Sequence, residues 1–223
     1  MATEKTLGII HASHITIDAM KPYIEKYLDG ITIMHLCDDT IQRDNLSAKV
    51  GTIPKVNYYK FAQYAHNLEE AGVDAILLAC STFNYAAELA RPMVNTPILQ
   101  IDRPMMEKAV QTGKKIGLLA TLATTVPSSE RLLQIAAREA GKEIECKTVL
   151  CEEAFEAYSR GDIEAHNAIL VDAIAKLSEE VDCIVMAQLS MSALAPFLGE
   201  TKVPVYNSGS TGFLRVREML ENM

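Results

Sequence analysis

The chain has 223 residues, of which 49% are apolar and 22% charged, proportions typical of a soluble globular protein with one large or two small domains. Its 29 acidic and 21 basic residues give a formal net charge of −8, which argues against a nucleic-acid partner. Five scattered cysteines, no secretory-signal pattern and no run of roughly 20 apolar residues predict a reduced, cytoplasmic protein with no membrane partner.

Short apolar runs alternate along the chain with longer segments of helical spacing. The apolar runs, which are rich in Ile, Val and Leu, are residues 7–10, 31–36, 75–79, 98–101, 116–120, 144–150, 183–187 and 203–206. The segments with helical spacing include residues 55–71, 129–140 and 162–177. Runs this short and continuously apolar are typical of parallel strands that are covered on both faces. The alternation therefore predicts an α/β fold with parallel strands and right-handed crossovers.

The chain also repeats itself. Gly117 repeats Gly8 after 109 residues, and Asp182 repeats Asp74 after 108 residues. Two further matches occur in the same order at similar spacing. We infer two copies of one unit of about 100 residues, the usual scale of a small domain.

The repeat predicts two pseudo-symmetric, doubly wound parallel-sheet halves. We expect residues 1–100 together with residues 207–223 to form the first half, and residues 101–206 to form the second. Because open α/β sheets bind ligands at the carboxyl ends of their strands, the active site is expected in the cleft between the halves.

The residues that directly follow the predicted strands should line this cleft. In the first half they include Cys37, Asp38 and Asp39, and in the second half Thr125, Ser128, Cys151, Glu152 and Glu153. The predicted site residues among them are His11, Ser13, Cys80, Ser81 and Thr82 in the first half and Thr121, Thr124, Gln188 and Ser190 in the second. This set is rich in hydroxyl groups and contains no Lys or Arg. Hydroxyls and free backbone N–H groups at helix N-termini hold carboxylates without a full positive charge. A small carboxylate is therefore the expected ligand, and a phosphorylated one is not.

Cys80 carries the most chemistry among these residues. It ends an apolar strand and precedes Ser81 and Thr82, where a helix is expected to begin. A thiol at a helix N-terminus has a lowered pKa, which favours the reactive thiolate. The alternative is a small apolar residue packed at a strand end, and position alone leaves both interpretations open. His11 and His14 have the spacing of a metal pair, but no further ligand stands at suitable spacing, so no metal is expected.

Three segments and the duplicated layout resemble the aspartate/glutamate/hydantoin racemase superfamily over nearly the whole chain. The segments are LACST at 78–82, GLLATLAT at 117–124 and MAQLSM at 186–191. The resemblance implies that two halves clasp a small acid, that a cysteine from each half faces the α-carbon, and that no cofactor is used. It assigns acid/base catalysis to Cys80. It assigns substrate binding to Thr82, Thr121 and Thr124, and it places His11 in a substrate-contacting loop.

The sequence departs from the superfamily at the second cysteine, where Gln188 stands. An amide can orient a carboxylate or an enolate, but it has no proton that titrates near neutral pH. The superfamily also contains single-cysteine arylmalonate decarboxylases, although their cysteine resembles the second-half position. Gln188 therefore excludes a symmetric two-thiol racemisation at these two positions.

Three hypotheses follow. The first is a cofactor-independent isomerase that acts at the carbon next to the carboxylate of a small amino or dicarboxylic acid, with Cys80 as one base and His11 or water as the other. The second is a decarboxylase in which Cys80 is the sole proton donor. The third is a non-catalytic carboxylate binder. Gln188 favours the second and third, whereas Cys80 with its hydroxyl neighbours favours the first two. The resemblance is also compatible with a homo-oligomer, because members are commonly dimers or larger.

Overall fold

The apolar runs form the strands of two parallel four-stranded sheets in a computed structural model that describes residues 5–223. The first sheet, of order β2-β1-β3-β4, contains β1 Thr6–His11, β2 Thr32–Cys37, β3 Ala75–Leu78 and β4 Ile98–Gln100. The second sheet, of order β6-β5-β7-β8, contains β5 Lys115–Ala120, β6 Glu145–Leu150, β7 Cys183–Met186 and β8 Val205–Asn207. The identical strand orders and parallel pairing confirm the predicted duplicated α/β fold.

Nine α-helices of the described residues cover the two sheets. They are α1 Ile15–Tyr27, α2 Asp39–Ser47, α3 Lys55–Glu70, α4 Tyr85–Ala90, α5 Arg103–Thr112, α6 Val126–Glu139, α7 Glu152–Ser159, α8 Ile163–Leu177 and α9 Ser208–Glu221. Short 3-10 helices occupy Ser81–Phe83, Arg91–Met93 and Leu189–Phe197. Within residues 5–223, no helix is both long enough and apolar enough to cross a membrane.

Each sheet is packed on both faces, which explains why its central strands are apolar throughout. In the first sheet, Phe61 of α3 packs on one face, whereas Met20 of α1 and Phe213 of α9 pack on the other. Helix α9 therefore packs against the first sheet. The boundaries of the two predicted halves stay a prediction, and residues 1–4 of the predicted first half lie outside the described part.

The repeated glycines have a packing reason. A Cβ on Gly8 would lie 2.8 Å from Leu68 Cδ1 of α3, and a Cβ on Gly117 would lie 2.7 Å from Leu177 Cδ2 of α8. Both distances are shorter than van der Waals contact. Glycine at these two positions thus lets a crossover helix approach the central strand of each sheet.

The repeated aspartates fix the start of each central strand. Asp74 Oδ2 accepts a hydrogen bond from Thr6 N at 2.8 Å, and Asp182 Oδ2 accepts one from Lys115 N at 2.8 Å. These bonds to backbone N–H groups hold the pKa of both carboxyls below the usual value. The match found in the sequence therefore reflects the same contact made once in each half.

Candidate active site

A cavity of about 90 Å³ lies where the carboxyl ends of the two sheets meet. Six of the nine predicted site residues line it, namely Ser13, Cys80, Ser81, Thr82, Gln188 and Ser190. This volume is well below the roughly 300–1,000 Å³ of ordinary ligand pockets, so the cavity suits a small ligand and must widen for a larger one. A wider groove of about 550 Å³ over α5, α6 and α9 is lined by surface residues such as Glu107 and Arg215, which pair with each other.

Cys80 reaches the cavity because β3 ends two residues earlier. Its backbone is extended, and the 3-10 helix Ser81–Phe83 begins directly after it. The backbone N–H groups of Thr82 and Phe83 therefore point toward the sulfur, and they act to lower the pKa of the thiol. The side chain is half-buried and carries no disulfide.

The pKa of Cys80 is nevertheless raised to about 12, chiefly because burial disfavours the charged thiolate, with a further contribution from the negative charge of Asp102. The expectation of a lowered pKa is therefore wrong. The two N–H groups do not compensate for the hydration that the thiolate would lose. At neutral pH the side chain is therefore a protonated thiol.

Gln188 occupies the matching position after β7, and Thr121 fixes its orientation. Gln188 Oε1 accepts hydrogen bonds from Thr121 N at 2.7 Å and from Thr121 Oγ1 at 3.1 Å. Because the backbone N–H of Thr121 needs an acceptor, Oε1 and not Nε2 is the amide atom that faces it. The other amide atom, Nε2, has no hydrogen-bond acceptor within residues 5–223. Gln188 therefore offers two N–H donors to a ligand in the cavity.

The two halves are joined across the cavity by a hydroxyl pair. Thr82 Oγ1 lies 2.9 Å from Thr125 Oγ1, and both residues line the cavity. Thr121 and Thr124 do not line it. Thr121 lies behind Gln188, and Thr124 Oγ1 is buried, with no hydrogen-bond partner among the described residues. The second half thus presents Thr125 where the sequence pointed to Thr124.

His11 is fully buried, and both of its ring nitrogens are engaged. Nδ1 lies 2.7 Å from Thr16 Oγ1, and Nε2 lies 2.9 Å from His35 Nδ1. Because Thr16 Oγ1 donates its own proton to Ser13 O, it must accept one from His11 Nδ1. Burial lowers the pKa of His11 to about 4, so the ring is neutral at neutral pH, and its bond to Thr16 holds the loop that carries Ser13 and Thr16 to the cavity. It does not line the cavity itself and has no free nitrogen to act there as a base.

Replacing His11 by asparagine should flatten the pH dependence of stability between pH 4 and 6.5. Burial, aided by His35, lowers the pKa of His11 to about 4, so in this window the unfolded chain binds a proton that the folded chain does not. Wild-type stability should therefore fall by up to ~3 kcal/mol as pH drops from 6.5 to 4. Urea unfolding at several pH values measures this loss, and an equal loss in His11→Asn would contradict the assignment.

The cavity carries no charged side chain among the described residues that line it. Its polar side consists of hydroxyls, the thiol and two amides. Its apolar side includes Phe155 and Tyr158 of α7, with Ile15, Leu122 and Leu189. His14 points elsewhere and bonds to Asp39 on the surface. No group of three or more His, Cys, Asp or Glu side chains within residues 5–223 is arranged to hold a metal ion.

Comparison with known proteins agrees with this architecture. The family model described as Asp/Glu/Hydantoin racemase matches residues 21–214. The chain belongs to this family. The resemblance seen in the sequence is thereby confirmed, with Cys80 and Gln188 at equivalent strand ends.

Relatives in the Asp/Glu/Hydantoin racemase family are distant. Glutamate racemase from Persephonella marina is 37% identical over 70 residues, which span 30% of this chain but only 27% of that protein. Glutamate racemase from Francisella tularensis, solved in complex with D-glutamate, has a TM-score of 0.70 at 14% identity and covers 98% of this chain and 82% of its own. Aspartate racemase from Picrophilus torridus has a TM-score of 0.71 at 18% identity, covering 97% and 94%. Allantoin racemase from Klebsiella pneumoniae has a TM-score of 0.69 at 19% identity, covering 98% and 88%. At these identities the structural likeness shows a shared fold.

Proposed function

We propose that this racemase-family protein is a cofactor-independent isomerase that moves a proton at the carbon next to the carboxylate of a small acid, with Cys80 as the acid/base. The observation that carries the proposal is the cavity itself. It places one thiol among hydroxyl and amide donors at the point where the two halves meet. Family membership supports the reaction class, since relatives of the same fold are named racemases of glutamate, aspartate and allantoin.

The donors around the thiol suit the charge that the reaction develops. In the isomerase, a water molecule on the face opposite Cys80 takes the α-proton and passes it to solvent, and the electron pair of the broken C–H bond spreads onto the carboxylate oxygens. In the decarboxylase, that electron pair comes from the C–C bond whose cleavage releases carbon dioxide. We expect the amide of Gln188 and the hydroxyl pair of Thr82 and Thr125, in which one proton stays free, to bond these oxygens. The Cys80 S–H bond then breaks as a C–H bond forms at the α-carbon, and the thiolate left behind is held by the N–H groups of Thr82 and Phe83.

The uncharged lining restricts the substrate. An ammonium group or a retained second carboxylate would lose its hydration without gaining an opposite charge, which is costly. We therefore expect the favoured substrates to carry one retained carboxylate and an uncharged, partly apolar remainder against Phe155 and Tyr158. This expectation differs from the small amino and dicarboxylic acids expected from the sequence, because it disfavours the ammonium group of an amino acid and a second carboxylate that stays on the product.

A second candidate function, decarboxylation, is favoured by Gln188. With a thiol on one side only, the enzyme can protonate one face of an enediolate but has no thiol for the other. A carboxylate that faces the uncharged wall would lose hydration, and this loss promotes its departure as carbon dioxide. The raised pKa of Cys80 also suits a residue that begins the step as a proton donor.

Incubation in deuterated water separates these functions. The panel contains amino acids, dicarboxylic acids, 2-substituted monocarboxylic acids and 2-substituted malonates, and the same panel without protein is the control. Proton NMR follows α-deuterium uptake, chiral chromatography follows configuration, and a coupled assay follows carbon dioxide. Exchange without carbon dioxide supports the isomerase, and carbon dioxide release supports the decarboxylase. Saturable binding with neither reaction would identify a carboxylate binder and contradict the proposal.

A further inference from the structure

The sheet register places a buried carboxyl beside the thiol. Strands β3 and β4 are parallel neighbours in which Leu78 lies opposite Gln100. Just past these strands, Ile101 N donates a hydrogen bond to Leu78 O at 3.2 Å, so Cys80 and Asp102 each follow the end of one of two neighbouring strands. Asn84 Nδ2 donates to Asp102 Oδ2 at 3.0 Å and to Ser81 O at 3.0 Å. The carboxyl is thereby tied to the residue that directly follows Cys80.

Asp102 is fully buried, and no cation within residues 5–223 pairs with it. Its side chain is 0% exposed, and Oδ1 has no hydrogen-bond partner among the described residues. Burial raises the pKa of the carboxyl, and the side chains of Ser81, Asn84 and Ser208 partly oppose this rise. The nearby arginines, Arg91 in the 3-10 helix before β4 and Arg103 at the start of α5, bond to other groups. Arg91 donates to Ile98 O and Gln100 Oε1 and pairs with Glu88, whereas Arg103 pairs with Glu107 and Glu139.

The second half lacks this carboxyl, and its chain continues differently after the fourth strand, because α9 begins at Ser208 directly after β8. There β7 and β8 pair Met186 with Asn207, and Gly209 follows two residues later in the first turn of α9. A Cβ at Gly209 would lie 2.5 Å from Tyr23 Cζ, which leaves no room for an acidic side chain. The first half therefore has both the carboxyl of Asp102 and the thiol of Cys80. The second half has Gln188 after its third strand and Gly209 after its fourth, and neither residue is acidic.

We propose that Asp102 is a positioning residue that keeps Cys80 in its protonated form by sharing one buried negative charge with it. Two neighbouring acids in a site of low polarity ionise one at a time, because the second charge is repelled by the first. The carboxyl, as the stronger acid, takes the charge, and the thiol keeps its proton. This inference rests on the proposed function only for its catalytic consequence, namely that Cys80 begins the reaction as a donor.

Alkylation of Cys80 with two reagents of equal size tests the proposal without turnover. Iodoacetamide is neutral and iodoacetate is anionic, and peptide mass spectrometry resolves Cys80 from Cys37, the exposed internal control. In Asp102→Asn, alkylation at pH 8 should become about 10-fold faster with iodoacetamide and should increase still more with iodoacetate. A change in access to Cys80 affects both reagents equally and therefore cancels in the ratio of the iodoacetate rate to the iodoacetamide rate. This ratio should rise several-fold in Asp102→Asn. Asp102→Glu, which keeps the charge, should keep the wild-type ratio.

An unchanged ratio in folded Asp102→Asn would overturn the proposal, even if both rates rose, because that outcome reports loosened packing only. Should Asp102→Asn fail to fold, the wild-type adducts decide. The carboxymethyl adduct of Cys80 places a second carboxylate beside Asp102, whereas the carbamidomethyl adduct does not. Thermal unfolding should therefore show the carboxymethyl adduct to be the less stable, and equal unfolding midpoints would contradict the shared charge. Neither measurement depends on activity, so a failed exchange assay would count against the proposed function alone.

Discussion

Replacing Cys80 by serine should lower the rate of α-hydrogen exchange, or of decarboxylation, by at least ~10²–10⁴-fold while leaving the protein folded. Serine is slightly smaller than cysteine and carries a hydroxyl in place of the thiol. That hydroxyl neither donates nor accepts a full proton near neutral pH. Deuterium uptake followed by NMR, with the best substrate of the panel, measures the loss.

Cys37→Ser is the matched control for this variant. Cys37 is an exposed thiol at the end of β2, does not line the cavity, and should keep the wild-type rate when changed. Circular dichroism and thermal unfolding establish that both variants fold. A Cys80→Ser protein that keeps more than about a tenth of the wild-type rate would remove Cys80 from the chemistry.

Replacing Gln188 by cysteine should place a second thiol across the cavity from Cys80 and create or increase racemisation. Both residues follow the third strand of their sheet and line the same cavity. In the variant, one thiol can take a proton while the other returns one to the opposite face. We expect an enantiopure 2-substituted acid to racemise at least ~10²-fold faster than with the wild-type protein, as measured by chiral chromatography.

Gln188→Ser separates the effect of the new thiol from the loss of the amide. It breaks the bond to Thr121 Oγ1 and N as Gln188→Cys does, but it supplies no titratable group. It should show no gain in racemisation. If Gln188→Cys folds and also shows no gain, then the two strand ends do not face opposite sides of one α-carbon.

The fold could be predicted because the strands carry a strong local signal. The segment Ala75–Leu78 is buried at every position, and a continuously apolar run of this length has few other uses than a strand covered on both faces. The sequence repeat also predicted the duplication of the fold, since Gly8 and Gly117 each allow a helix to pack closely on a central strand. The division between halves, a cytoplasmic location and assembly into a homo-oligomer stay predictions.

The candidate site was predictable only where it follows directly from strand ends. Cys80 and Gln188 are found by counting past β3 and β7. Thr125, directly before α6, and Tyr158, in α7, reach the cavity through helix orientations that depend on packing. Asp102 gave no sequence signal either, because its surroundings are Ser81 and Asn84, which follow β3, and Ser208 at the start of α9. The raised pKa of Cys80 has the same origin. A helix N-terminus is visible in the sequence, but the desolvation that outweighs it is not.

A crystal structure with an enantiopure 2-substituted monocarboxylic acid tests the central claim most directly. We predict that its carboxylate oxygens lie 2.7–3.2 Å, by the ordinary range of hydrogen bonds, from Thr82 Oγ1, Thr125 Oγ1 or Gln188 Nε2. The α-carbon should lie about 3.5 Å from Cys80 Sγ. A ligand bound outside the cavity, or one seated there with its α-carbon turned away from that sulfur, would contradict proton transfer by Cys80.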